Sequence, residues 1–210
     1  ESSNFYGGSY KFATADYLTA ANGNVLNISS ATQTFTYEVW VNPTSINTSG
    51  AANFRFTSMV SKGQVYLSFG FTSTGVLRFY TYSGVENYTN SAAGVVITGK
   101  WQHLCVVSNG GSITLYRDGV SVATGTLVVP SASMSDNPKI AHADASYATD
   151  GFVGFMQDAR YYEGIAKYTS DFSPASINPD ILPDTPSGVT TKTKLTKINE
   201  GAVAFGGGDD

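Results

Sequence analysis

Any acid–base or nucleophilic chemistry in this chain would have to be carried by five glutamates, Glu1, Glu38, Glu86, Glu163 and Glu200, and two histidines, His103 and His142. Glycoside hydrolysis needs two carboxylates flanking a scissile bond. None of the glutamates belongs to a strand of alternating acidic residues that would present such a pair. His103 lies within an apolar run and His142 in a turn-rich stretch, and neither accompanies a nucleophile motif. The chain is therefore expected not to be an enzyme.

Metal chemistry is equally thin. Cys105 is the single cysteine, which excludes an intrachain disulfide and any multi-thiolate site. Asp136, Asp144 and Asp150 share one loop-rich stretch and could offer oxygen ligands to calcium. Their spacing matches no recognisable calcium loop, so solvated loop aspartates are the expectation and no cofactor is assigned. A net charge of −4 and a pI near 5.1 argue against a phosphate-binding surface. The one basic cluster, Lys192, Lys194 and Lys197, reads as a solvated strand or linker, and no nucleic-acid partner is expected.

The residues best suited to recognition are Tyr66, Arg78, Tyr80 and Tyr82, with Tyr88 and Trp40 as further members. Alternation places the first four on one strand face, where aromatic rings could stack on sugars and the guanidinium could hydrogen-bond hydroxyls. The plainer reading is that this face packs beneath a loop or against another subunit. Asn27, Asn47 and Asn87 each open an N-glycosylation triplet, a kind of triplet that arises readily in a chain rich in Ser and Thr.

These residues must be positioned by strands. Hydrophobic content of 41%, an aromatic fraction of 13% and 22 glycines fit many short strands joined by tight turns. Phe35, Tyr37, Val39 and Val41 alternate with Thr36, Glu38 and Trp40, up to the stop at Asn42-Pro43. Val65, Leu67, Phe69 and Phe71 share a face that Leu77 and Phe79 continue after the Thr74-Gly75 turn. Trp101 to Val107 is apolar on both faces, as a central covered strand would be. Asn109-Gly110-Gly111 and Asp118-Gly119 then turn a meander through Ser112–Arg117 and Val120–Thr124. Phe152 to Tyr162 supplies a last strand before Lys167 to Pro174 leaves the sheet. The fold expected is an all-β, two-sheet antiparallel jelly-roll sandwich.

Four segments in order, Phe35 to Pro43, Lys100 to Val107, Ile113 to Gly119, and Gly154 to Arg160 with Gly164 to Thr169 and Phe172-Ser173-Pro174, resemble the strand signatures of laminin-G-like, concanavalin A-like jelly rolls. The resemblance covers roughly residues 8 to 176 and is nearest to versions found in bacteriophage fibre and other virion proteins. It implies an adhesive, glycan-binding or structural module located extracellularly or on a virion surface. Fold alone does not assign function.

Domain organisation follows from composition. Residues 1–176 form the sandwich. Residues 177–200, with Asn178-Pro179, Leu182-Pro183 and Thr185-Pro186, form an extended linker. Residues 201–210 repeat the spacing of the start, since Gly201, Phe205 and Asp209 fall as Gly8, Phe12 and Asp16 do. The segment Ala202, Val203, Ala204 and Phe205 thus reads as an opening strand. It could belong to a tandem array, fold back on its own sandwich, or join a neighbour by strand addition; a flexible end is the bland alternative. Glu1 in place of a methionine reads as a processed or excised start. No stretch approaches the length of a membrane span, so no membrane insertion is expected. The leading expectation is a non-enzymatic subunit of an extracellular or virion fibre, self-associating head to tail through its C-terminal segment. The alternative is a glycan-binding adhesion module.

Overall fold

Phe35, Tyr37, Val39 and Val41 all enter one buried cluster, so the alternation visible in the sequence sorts this strand into an inner and an outer face. The computed structural model describes residues 9–13, 16–19, 26–46, 57–62, 66–131, 137–141 and 151–174. Within them run β1 (Tyr10–Phe12), β2 (Leu18–Thr19), β3 (Phe35–Pro43), β4 (Thr57–Lys62), β5 (Leu67–Phe71) and β6 (Leu77–Tyr82). They are followed by β7 (Glu86–Asn90), β8 (Gln102–Asn109), β9 (Ser112–Arg117), β10 (Val120–Thr126), β11 (Lys139–Ile140) and β12 (Gly154–Glu163). Among the described residues no helix is long and apolar enough to cross a membrane.

The strands form two six-stranded sheets, ordered β1-β12-β3-β8-β9-β10 and β2-β11-β4-β5-β6-β7, and their pairings are antiparallel. The sheets meet through aromatic side chains. Tyr37 of β3 packs edge-on against Phe69 of β5 with ring centroids 5.9 Å apart, and Phe35 lies 6.0 Å from Phe79 of β6. Each such ring removed from water stabilises the fold by about 1.5–3 kcal/mol. At one side of the sandwich Thr89 of β7 turns inward, and the missing side chain of Gly125 on β10 makes room for it, because a Cβ there would collide with the threonine hydroxyl.

The meander forms as its turn residues require. Asp118 and Gly119 have φ values of 52° and 81°, the pair of positive angles a type I′ hairpin needs. The Asp118 carboxylate also accepts the His103 backbone N–H at 2.8 Å, which ties the turn to β8. In β12 the ladder slips between Gln157 and Arg160, with Asp158 at φ 58°, a bulge that alternation alone does not reveal.

One segment behaves differently from the expectation. Instead of simply leaving the sheet after β12, residues 164–174 cross back over the outer face of β3, β8 and β9. The Gly164 N–H donates to the Thr34 carbonyl, the Lys167 N–H to Thr36 Oγ1, and the Phe172 N–H to the Gly119 carbonyl. This strap covers Cys105, Val107 and Tyr116 with Ala166, Tyr168 and Phe172, which is why β8 is apolar on both faces. Residues 175–210, including the linker and the segment Ala202–Phe205, lie outside the described residues, as do Asn47, Asp136, His142, Asp144 and Asp150.

Candidate functional site

The outer face of the second sheet is built by β6 and β7. Leu77 and Phe79 point into the core, so the pleat turns Arg78, Tyr80 and Tyr82 outward. The register sets Arg78 opposite Asn90, Tyr80 opposite Tyr88 and Tyr82 opposite Glu86. On the other flank Ser68 and Gly70 of β5 face Tyr80 and Arg78, small residues that leave the larger side chains standing above them.

The four residues singled out in the sequence fall into two adjacent groups. Tyr66 and Tyr82 pair at one end, their ring centroids 5.7 Å apart. Arg78 and Tyr80 join through Tyr88: the guanidinium carbon lies 4.4 Å from the centre of the Tyr88 ring, and that ring lies 5.4 Å from Tyr80. Arg78 Nε also donates to Asn90 Oδ1 at 2.8 Å, and the Tyr88 hydroxyl donates to the Glu86 carboxylate. Arg78, Tyr82, Glu86 and Tyr88 are half-exposed and Asn90 is exposed. Burial lowers the pKa of Arg78, while the charge of Glu86 opposes that shift; a guanidinium so placed remains a cation.

Tyr80 is only 3% exposed, so it packs beside Tyr88 across the strand pair and offers no stacking surface of its own. Trp40 belongs to β3 in the other sheet, where its ring packs 5.3 Å from His103, and it takes no part in this face. Glu86, Tyr88 and Asn90 form a row that reading Glu86–Asn90 as a strand would have exposed. Its signal was weak because Thr89 is the one fully buried residue among the five.

The outer face of the first sheet holds the other concentration of polar groups, and the strap seals it. Glu38 is 4% exposed. Its carboxylate accepts hydrogen bonds from Lys167 Nζ at 2.5 Å, Tyr168 Oη at 2.8 Å and Tyr162 Oη at 3.3 Å, and His103 Nε2 lies 3.3 Å away. Burial alone would raise the Glu38 pKa, but His103 and Lys167 outweigh it and hold the carboxyl near 2. A carboxylate so firmly ionised, with its oxygens already occupied, is suited to fastening the strap and ill suited to general acid catalysis. Glu38 and Glu86 stand on different sheets. Among the described residues no three His, Cys, Asp or Glu side chains converge where a metal could bind.

The glycosylation triplets differ in setting. Asn27 is exposed. Asn87 is half-buried, and its Nδ2 donates to Ser83 Oγ and the Val85 carbonyl at 3.0 Å each.

A family model described as the concanavalin A-like lectin/glucanases superfamily, of the laminin G type, matches residues 12–166. Among solved structures the chain is similar to domain 4 of AbnA, an extracellular GH43 arabinanase from Geobacillus stearothermophilus, in complex with arabinotriose. The identity is 18% and the TM-score 0.54, over 74% of this chain and 70% of that one. It is also similar to domains LG4-5 of the mouse laminin alpha1 chain, with 15% identity and a TM-score of 0.52 over 73% of this chain and 40% of that one. At these identities the likeness is one of fold.

Proposed function

The chain belongs to the concanavalin A-like lectin/glucanases superfamily, and from that premise we propose that it is a non-catalytic carbohydrate-binding module whose ligand lies on the outer face of the second sheet. The observation that carries this reading is Arg78 stacked over Tyr88 and tied to exposed Asn90. An aromatic surface fringed by a guanidinium, an amide and a carboxylate offers flat apolar area together with donors and acceptors for hydroxyl groups. Arg78 and Glu86 balance each other in charge, which favours an uncharged, hydroxyl-rich saccharide. That domain 4 of AbnA was solved with arabinotriose lends support. An extracellular or virion-surface setting belongs to the same proposal.

The test is calorimetry or array binding with neutral oligosaccharides. Arg78→Ala and Tyr82→Ala should each weaken the best ligand by roughly tenfold or more without lowering the melting temperature much. Retention of full affinity in both variants would overturn the assignment of this face. Fibre building does not follow from the sandwich itself; its only handle is the C-terminal segment.

A further inference from the structure

Three side chains converge on Tyr88. The Arg78 guanidinium carbon lies 4.4 Å from the centre of its ring, the Tyr80 ring packs 5.4 Å from it, and its hydroxyl donates to the Glu86 carboxylate. A ring so occupied serves its neighbours as a support more than it serves a sugar as a platform. The pleat shows how this comes about. Glu86, Tyr88 and Asn90 take alternate places on β7, opposite Tyr82, Tyr80 and Arg78 of β6, and successive places on one face stand about 7 Å apart along a strand. Arg78 and Glu86 thus start two places apart, and both reach the tyrosine between them.

The backbone and the small neighbours hold this arrangement. Thr89 turns inward against Gly125, which fixes the outward direction of the residues on either side of it. Gly70, opposite Arg78 on β5, brings no side chain into the space beside the arginine. Arg78 Nε donates to Asn90 Oδ1 at 2.8 Å, so the guanidinium is tethered at one end by an amide and supported along its plane by a ring. Side chains fixed in this way have given up their rotamer freedom before a ligand arrives.

Guanidinium and carboxylate therefore share one tyrosine, close enough for the Glu86 charge to act on Arg78. A guanidinium on an aromatic surface, with no acid beside it, would draw a ligand that carries a carboxylate, because its N–H fork matches that anion. A fixed carboxylate next to it reverses the preference. An acidic ligand reaching Arg78 meets a like charge, whereas a hydroxyl group can accept from Arg78 and donate to Glu86. We infer that Tyr88 is a positioning residue, and that Glu86, held by its hydroxyl beside Arg78, sets the specificity of this face by turning away acidic saccharides in favour of neutral ones. The inference rests on the saccharide reading and adds the residue that selects within it. Arg78 and Glu86 are half-exposed, so the selection is strongest at low ionic strength.

An array carrying neutral oligosaccharides beside their uronic-acid counterparts tests it at low salt. Wild type should bind neutral members at least about tenfold more tightly than their acidic counterparts. Glu86→Gln keeps the shape of the side chain and removes its charge. It should bind acidic members at least about fivefold more tightly than wild type does, with neutral affinities changed by less than about threefold, and the gain should fade in high salt. Tyr88→Phe keeps the ring against Arg78 and releases the carboxylate, so it should narrow the preference in the same direction, and should alter it no further once Glu86→Gln is present. A shift in preference is a readout that simple loss of structure does not produce. Wild type binding acidic and neutral members alike, or Glu86→Gln with the wild-type preference, would overturn the inference and leave the saccharide reading standing. Wild-type selectivity in Tyr88→Phe would remove the positioning role. Failure of both wild type and Glu86→Gln to bind any sugar would end both readings together.

Discussion

Glu38 and Lys167 are separated by 129 residues in sequence, yet the lysine ammonium sits 2.5 Å from the glutamate carboxylate, and neither side chain is more than 7% exposed. The pair fastens the strap to the first sheet beneath a layer of aromatic rings. Phe172 stacks on Tyr168 with centroids 3.5 Å apart and meets His103 and Tyr116 edge-on. Burying such a pair is costly, and the additional hydrogen bonds from Tyr162 and Tyr168 satisfy the carboxylate well enough for it to persist.

Acid should release the strap. The Glu38 pKa is depressed in the folded protein, from 4.5 to about 2. The stability it contributes is therefore complete above pH 4.5 and is lost as pH falls toward 2. Urea unfolding across that window should show wild type losing stability, while Glu38→Gln, which lacks the titrating group, loses less. Parallel slopes for the two proteins would contradict this account. At neutral pH Lys167→Met should cost about 3–5 kcal/mol, because it strands a buried charge.

Phe172 seals the small cluster around Cys105. Replacing it with alanine should destabilise the protein by roughly 2–4 kcal/mol, near the low end for aromatic truncation because the ring is only half-buried. The Cys105 thiol is buried and its pKa is raised by that burial, so wild type should react slowly with a thiol reagent under native conditions. Phe172→Ala should react markedly faster. Equal rates would mean that the strap does not guard this cysteine.

In a host that glycosylates secreted proteins, Asn27 should be modified and Asn87 should not. The Asn87 amide nitrogen is held by Ser83 and Val85 inside the β6–β7 hairpin, whereas Asn27 is exposed. Peptide mass spectrometry reads both sites, and high occupancy at Asn87 with none at Asn27 would overturn this expectation.

The long strands were legible because their inward residues are large and apolar. Phe35, Tyr37, Val39 and Val41 needed nothing but alternation, and Asp118-Gly119 named its own turn. β7 shows no apolar alternation, because its one inward residue is Thr89, held by the ladder with β6 and by its fit against Gly125, a residue far along the chain. The strap is hidden in the sequence for a similar reason: Lys167 is a surface residue by type, and the buried Glu38 explains why it turns inward. On the outer face of the second sheet, alternation places Arg78, Tyr80 and Tyr82 on the correct side of β6. It could not say that Tyr80 would be covered, nor that Trp40, which shares their outward pleat, would belong to the other sheet.

The path of residues 164–174 also decides how the module would respond to a pull at its C-terminal side. Load applied at Pro174 reaches first the contacts of Asp171 with the Ser121 N–H and of Phe172 with Gly119, and next Tyr168 and Lys167 on Glu38. Pulled in this geometry they should yield one after another, by peeling, before the hydrogen bonds between β3 and β8 bear tension. The strap should thus act as a mechanical fuse, giving way while the sandwich behind it keeps its strands.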